Sequence, residues 1–260
     1  MRGLDLTRHT LLTLTLVAGL AAGCASPASE PAAPKVEAPA TVDAIVAAHL
    51  AARGGIEKLR ALHSIRETGK VTASDGRVAL VVREIRKPGQ FRLQFTYQGT
   101  TSVFAHDGVT GWQIAPLQGQ FEPGAMPPET DAAGGVDQRD LEGPLVDWRE
   151  KGHTVTLAGR EAVDGKEAFK LEVKLQGGVT RYDYIDVATH MVVRSDVTRI
   201  VRKHATVLEN RFSDFRDEGG IVFPHAIETH VKDRPQSLRI VVEKIELDPV
   251  LDAARFRMPE

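Results

Sequence analysis

The sequence predicts an α+β domain that is mainly β, with one large antiparallel sheet or barrel and a few helices. Three features of the 260 residues predict this class. Long segments alternate between apolar and polar residues, dipeptides suited to tight turns separate those segments, and an amphipathic helical pattern precedes them. Alternation with a period of two puts the apolar side chains on one face of each strand, which is typical of antiparallel sheets with one buried face.

The helical pattern lies directly before the alternating segments. Thr41 can cap a helix, and Asp43 falls in its first turn. The residues at the spacing of one helical face are Val42, Ile45, Val46, His49 and Leu50. Gly54-Gly55 interrupts the pattern, and we expect a shorter helical piece after it, around Leu59.

Alternating segments then follow from Ser64 almost to the C-terminus, through Leu238–Leu247. The clearest segments have an apolar or β-branched residue at every second position: Phe91, Leu93, Phe95 and Tyr97; Phe169, Leu171, Val173 and Leu175; Ile227, Thr229 and Val231. The dipeptides between segments are Asp75-Gly76, Pro88-Gly89, Asp107-Gly108, Asp164-Gly165, Gly177-Gly178 and Gly219-Gly220. Several suit hairpin turns because glycine accepts positive φ, and we expect roughly ten strands.

The segment 122–150 breaks the alternation, because it is rich in proline and glycine. Near its end Leu141, Leu145 and Trp148 share a helical face, and Pro144 suits a first helical turn. The pattern predicts a long loop followed by a short helix. Such a segment is either a lid over a binding site or a plug that closes the end of a sheet, and the sequence favours neither.

The first 24 residues have the layout of an export signal. Arg2 and Arg8 precede an apolar stretch at 11–20, and small residues lead to Cys24, the only cysteine in the chain. We expect residues 1–23 to be removed as a signal peptide. Cys24 resembles the lipid-bearing cysteine of the bacterial lipobox, which makes it the predicted lipidation site. The alternative is an ordinary signal peptide followed by a cysteine with no such role.

Residues 24–40 are interpreted as a lipidated tether rich in Pro and Ala, and 41–260 as a single domain. The tether has too little apolar surface to fold by itself. Its prolines favour an extended conformation, so it can reach about 50 Å from a membrane.

The net charge and the motif content of the sequence argue against several classes of function. The net charge of −2 provides no general attraction to nucleic acid, so no nucleic-acid partner is expected. The chain has no G-x-S-x-G, H-E-x-x-H or phosphate-binding glycine motif, and Cys24 belongs to the anchor. His225 and His230 would point to opposite faces of a strand, as would Asp183 and Asp186. We therefore expect no catalytic residue, no metal site and no cofactor.

The order of helices and strands resembles that of the bacterial lipoprotein-sorting proteins, the LolA-like carriers, over residues 42–260. The resemblance rests on six sequence segments: His106 to Trp112, Leu141 to Trp148, Gly159 to Lys166, Phe212 to Arg216, Ile221 to His225 and Ala254 to Pro259. The resemblance implies a strongly curved, incomplete antiparallel β-barrel whose open side is covered by helices. It also implies an apolar interior, which in the carriers holds lipid acyl chains. In having a lipidation site the chain is more similar to LolB, the acceptor lipoprotein of that family.

The apolar residues of the predicted strands have two interpretations. They line a cavity if the helices only cover the sheet, and they are core if the helices fill it. The residues expected to line such a cavity are Phe91, Leu93, Phe95, Tyr97, Trp112, Phe169, Leu171 and Val173, with Leu141, Leu145 and Trp148 as lid candidates.

Two functional hypotheses follow from the resemblance. The first is a carrier or acceptor that binds acyl chains of lipids or lipoproteins. The second is an envelope interaction or sensing protein that uses the same fold as a scaffold for a protein partner. Ala25 and Ser26 follow Cys24, and neither resembles the aspartate that retains lipoproteins in the inner membrane. For a Gram-negative source we therefore expect an outer-membrane anchor facing the periplasm.

Overall fold

The structure, a computed structural model, describes residues 40–127, 139–201 and 204–259. In these described ranges, two α-helices precede thirteen β-strands, and two short 3₁₀ helices lie at Pro116–Gln118 and Ala253–Phe256. The helices are α1 (Val42–Ala52) and α2 (Ile56–Ala61). The strands are β1 (Ser64–Ala73), β2 (Val78–Arg86), β3 (Gln90–Tyr97), β4 (Thr100–His106), β5 (Gly111–Ala115), β6 (Gln120–Ala125), β7 (Thr154–Val163), β8 (Lys166–Lys174), β9 (Thr180–Asp186), β10 (Val192–Val201), β11 (His204–Glu218), β12 (Ile221–Val231) and β13 (Ser237–Leu247).

All thirteen strands belong to one antiparallel sheet. Two meanders, β1 to β6 and β7 to β13, join where β1 pairs with β13, so the order across the sheet is β6-β5-β4-β3-β2-β1-β13-β12-β11-β10-β9-β8-β7. The end strands β6 and β7 do not pair with each other within the described residues, so the barrel is incomplete. The predicted incomplete antiparallel barrel with helices is thereby confirmed, with more strands than the roughly ten expected.

The predicted hairpin turns are confirmed at all six positions, since each dipeptide lies between two consecutive strands. One of the two shortest of these turns contains only Asp164 and Gly165, between β7 and β8. Both residues have positive φ, 49° and 78°. Two-residue hairpins of this kind match the twist of the strands and need such backbone angles, which glycine adopts without steric cost.

The predicted N-terminal helices are also confirmed. The hydroxyl of Thr41 accepts a hydrogen bond from the amide of Ala44 at 3.2 Å, which caps α1. Four residues of its apolar face are buried: Ile45, Val46, His49 and Leu50. After α1 the chain passes so close to the β11–β12 turn that a Cβ atom on Gly54 would lie 2.1 Å from the carbonyl oxygen of Gly220. Glycine at position 54 is therefore required for this packing.

The strand register assigns side chains to two faces of the sheet, because directly paired residues of antiparallel strands project to the same side. We call the inner face the one that carries Ile65, Ile85 and Phe91, which are paired in series across β1, β2 and β3. These residues share one buried core with Ile45 and Leu50 of α1. The helices thus cover the inner face, and the opposite side is called the outer face.

The segment 122–150 differs from the prediction in two ways. Its first residues belong to β6, whose Pro123 is tolerated because this is an edge strand. The expected short helix at 141–148 is wrong, because residues 144–152 form turns instead. Gly143 and Asp147 have positive φ, 93° and 49°, which a continuous right-handed helix excludes.

Candidate functional site

Two adjoining cavities lie on the inner face of the sheet. The covered cavity, of about 240 Å³, is bounded by α1, the segment 140–146 and strands from both meanders. The sheet cavity, of about 350 Å³, is bounded by strands alone, from β1 to β3 and from β9 to β13. The two share wall residues, so they form neighbouring parts of one interior space.

The covered cavity has a mostly apolar wall with charged residues at its rim. Its buried apolar side chains are Leu50, Ile65, Ile85, Leu141, Leu145, Val146 and Phe223. Arg53, at the end of α1, donates a hydrogen bond of 2.8 Å to the carbonyl oxygen of Glu142. Burial lowers the pKa of Arg53 to about 10. The contact fixes the segment 140–146 against α1.

Further ion pairs hold the same segment in place. Lys151 contacts the Asp140 carboxylate at 2.8 Å, and Lys87 contacts Glu142 at 2.5 Å. Burial raises the pKa of Asp140, although Lys151 opposes that shift. Arg60 of α2 binds Asp147 through two nitrogens, at 2.9 and 2.5 Å. These contacts attach the segment to α2, to the turn between β2 and β3, and to the residues that follow it.

His49 also lies in the wall of the covered cavity. Its Nδ1 atom is 2.8 Å from the carbonyl oxygen of His190, in the turn between β9 and β10. Burial lowers the pKa of His49 to about 4, although the His190 contact opposes this. The imidazole is therefore neutral at physiological pH and links α1 to the second meander.

The sheet cavity combines apolar and polar walls. Its apolar side chains are Val81, Phe91, Leu93, Phe95, Val197, Leu208, Phe212, Ile227, Ile240 and Val242. Phe95 packs edge-on against Phe104, with ring centroids 6.4 Å apart. Strands β10, β11 and β12 also contribute polar side chains: Asn210 accepts a hydrogen bond of 2.8 Å from the hydroxyl of Thr229, and its amide nitrogen lies 3.4 Å from the Ser195 hydroxyl.

Two charged pairs lie in the wall of the interior space. Arg83 and Glu67, paired across β1 and β2, form two hydrogen bonds of 2.7 Å each. Arg181 donates to Asp183 through Nε and Nη2, at 2.9 and 2.6 Å. Burial lowers the pKa of Arg83, but the charge and hydrogen bonds of Glu67 outweigh it and the net shift is upward. Sequence reasoning did not assign Glu67, Arg83 or Arg181 to the site, although Arg83 interrupts the apolar inner positions of β2.

The residues expected to line a cavity lie in three places. Phe91, Leu93 and Phe95 line the sheet cavity, and Tyr97 lies half-buried beyond them on the same face. Leu141 and Leu145 line the covered cavity. The remaining expected residues line neither cavity: Phe169, Leu171, Val173, Trp112 and Trp148.

Phe169, Leu171 and Val173 are buried on the inner face as part of the main core, between the sheet and α1. Trp148 packs against the same core and lies under the guanidinium of Arg149, 3.9 Å from the ring centroid.

Trp112 lies on the outer face, contrary to expectation. Trp112 pairs with Ala105 of β4. The next residue of β4, His106, pairs with the inner-face residue Phe91, so Ala105 and Trp112 project to the outer face. The C-terminal segment covers Trp112, and the indole nitrogen donates a hydrogen bond of 2.7 Å to the carbonyl oxygen of Phe256. Trp112 therefore anchors the chain end.

The described residues contain no group of His, Cys, Asp and Glu that could hold a metal ion. His225 is buried against the carbonyl oxygen of Val242, and His230 lies on the opposite face of β12 with a partly exposed side chain. Asp186 caps the turn after β9 rather than facing Asp183. No helix within the described residues is long and apolar enough to cross a membrane. Cys24 and the tether lie outside the described residues.

Comparison with solved structures identifies the fold. A domain named for outer-membrane lipoprotein sorting, from Vibrio parahaemolyticus, matches with a TM-score of 0.54 at 12% identity, covering 82% of this chain and 94% of that one. A LolA superfamily protein from Nitrosomonas europaea matches with a TM-score of 0.55 at 13% identity, covering 84% and 98%. A DUF1329 family protein from Desulfovibrio piger matches with a TM-score of 0.56 at 13% identity, covering 84% and 97%.

No protein-family model matches the sequence, and no curated protein matches it. The identities to the solved structures are low, so these similarities concern the fold. The chain has a LolA-like fold, and the resemblance inferred from the sequence is confirmed at that level.

Proposed function

We propose that this chain is an envelope lipoprotein that binds acyl chains of lipids or lipoproteins in the interior space of its incomplete barrel. The observation that carries the proposal is the pair of adjoining cavities on the inner face, one covered by the segment 140–146 and the other bounded by strands alone. The sheet cavity, at about 350 Å³, has the size of small-molecule binding sites, which run from about 300 to 1,000 Å³.

The apolar walls supply the binding energy in this proposal. Phe91, Leu93 and Phe95 lie along one strand and offer a continuous apolar surface to an alkyl chain. Each buried methylene contributes about 0.8 kcal/mol before the cost of ordering the chain is subtracted. A chain of moderate length would then bind measurably even if only part of it is enclosed.

The proposed anchor is a lipid on Cys24, with residues 24–40 as the tether. Stable anchoring requires more than one acyl chain, which lipoprotein processing supplies. An anchored protein of this kind acts as an acceptor or a local carrier, because it cannot leave its membrane. For a Gram-negative source we place it on the outer membrane, facing the periplasm.

Native mass spectrometry of the mature chain carrying Cys24→Ser tests the proposal. Acyl lipid retained from the expression host, or stoichiometric uptake of an added fluorescent fatty acid, supports it. A chain that is empty as purified and takes up no added acyl compound contradicts it.

The second candidate is a scaffold that binds an envelope protein partner. It is favoured by Val78 and Leu80, exposed apolar side chains at successive outer-face positions of β2. Each of these side chains is more than a third exposed, and large apolar side chains that adjoin on a surface often mark protein contacts. A stable complex with a defined partner, formed by a lipid-free chain, supports this candidate instead.

A further inference from the structure

The interior space contains more charge than an alkyl chain needs. Arg83, Arg181 and Arg199 line the sheet cavity, and Glu67 is the only carboxylate in that wall among the described residues. Asp183 lies next to Arg181 and lines the covered cavity. Burying charged groups is costly even when they are paired, so a wall built only for hydrocarbon would contain apolar residues at these positions.

Arg83 has donor capacity that its partner does not use. Its Nε and Nη2 atoms bind the two oxygens of Glu67, and no hydrogen bond from Nη1 to a described residue is found. The side chain lines both cavities and keeps 35% of its surface accessible. The remaining donors of Arg83 are therefore accessible from the space in which a ligand would lie.

Apolar side chains adjoin Arg83, and polar side chains occur elsewhere in the wall of the same cavity. Leu93 pairs with Arg83 across β2 and β3, with Phe91 and Phe95 at the next inner positions of β3. On the other side, Arg181, Asn210 and Thr229 line the sheet cavity among apolar side chains of the same strands. A molecule with a charged end and an alkyl end fits both surfaces at once.

Building on the proposed function, we propose that the interior space selects acidic amphiphiles, whose ionised carboxylate or phosphate group binds Arg83 while the alkyl chain lies along Phe91, Leu93 and Phe95. Arg83 is then a specificity-determining residue. Guanidinium groups suit this role because their fixed fork of donors matches the oxygens of carboxylate and phosphate. Glu67 orients Arg83 and competes with the ligand for its positive charge.

The test compares ligands that share a chain and differ in the head group. Isothermal titration measures dodecanoate and dodecyl phosphate below their micelle concentrations, and the neutral dodecanol below its solubility limit, on the mature Cys24→Ser chain at neutral pH. We expect at least one acidic ligand to bind roughly ten- to a hundredfold more tightly than dodecanol, the range that one charge-assisted hydrogen-bonded contact provides.

Three variants locate the selectivity. In Glu67→Gln/Arg83→Gln no charge is left unpaired, and we expect the acidic ligands to bind no better than dodecanol. Glu67→Gln alone removes the competing carboxylate, and we expect acidic ligands to bind more tightly while dodecanol is unchanged. Arg86→Gln, on the same strand but on the outer face, is the control and should retain the wild-type preference. Thermal midpoints confirm that each variant folds.

The remaining outcomes distinguish a failure of the acidic selectivity from a failure of acyl binding itself. If dodecanol binds as tightly as both acidic ligands, acyl binding stands and the acidic selectivity is wrong. If none of the three binds, the proposed function itself fails. If inorganic phosphate alone binds as tightly as dodecyl phosphate, the site takes small anions and the amphiphile is not its ligand.

Discussion

Two substitutions on the inner face distinguish a cavity wall from solid core. Leu171 is fully buried within the main core, whereas Phe95 is half-buried and lines the sheet cavity. Replacing each by Asn introduces the same polar amide into two different environments. In the core the amide has neither a hydrogen-bond partner nor access to water. In the cavity, water can hydrate it.

The expected loss of stability is large for Leu171→Asn. Truncation of a buried leucine costs roughly 2–5 kcal/mol, and an unsatisfied amide adds about 1–3 kcal/mol. In a domain of this size each kcal/mol lowers the thermal midpoint by about 2–4 °C, so a loss of about 4 kcal/mol lowers it by roughly 8–16 °C. Phe95→Asn should lower the midpoint by a smaller amount and weaken the binding of an acyl-chain probe severalfold.

The assay is a thermal melt and a probe titration on the same samples. Phe121→Asn on β6 is the matched control, because Phe121 is 71% exposed and lines neither cavity; both readouts should stay at wild-type values. The reasoning is refuted if Phe95→Asn destabilises the chain as much as Leu171→Asn does while the wild type binds no probe. That result would mean a filled core and no carrier cavity.

Three further predictions concern the anchor, a buried histidine and a glycine contact. Cys24→Ser should move the protein from the membrane fraction to the soluble fraction, and retention in salt-washed membranes would contradict lipid anchoring at this residue. The pKa of His49 is about 4 in the folded chain against an ordinary 6.5, so its contribution, on the order of 3 kcal/mol, is fully present above pH 6.5 and is lost as the pH falls towards 4. His49→Gln should flatten the dependence of stability on pH in that window, and an unchanged slope would exclude His49 as its cause. Gly54→Ala should cost several kcal/mol in urea unfolding, because φ is 113° and the new methyl would overlap Gly220; Gly76→Ala, with open space around it, should cost clearly less.

The sheet could be predicted from the sequence because its turns are specified by the local backbone preferences of their residues. A dipeptide such as Asp164-Gly165 specifies a two-residue hairpin from local backbone preferences, whatever the rest of the chain does. The pairing of β1 with β13 has no such local cause. It joins residues far apart in sequence, and only the closing of the two meanders against each other brings them together.

Trp112 shows why alternation did not assign every residue to its face. In β5, Trp112 and Gln113 are adjacent and both buried, because the C-terminal segment covers the outer face there. A strand that is covered on both sides loses the difference between its faces, so a period of two no longer says which side is the interior. The Phe256 contact that covers Trp112 comes from the far end of the chain and has no local sequence cause.

The contacts of the segment 140–147 help to decide whether it is a lid or a plug. A lid must open at a low cost in free energy, yet Leu145 and Val146 of this segment are buried. Side chains outside the segment also bind it: Arg53, Arg60, Lys87 and Lys151. The partly exposed Arg60–Asp147 pair contributes little, but the two buried side chains each contribute roughly 1.5–3 kcal/mol. Opening the segment would therefore cost several kcal/mol. The sheet cavity, which is bounded by strands alone, does not depend on that movement, so a ligand could reach Arg83 while the segment stays closed.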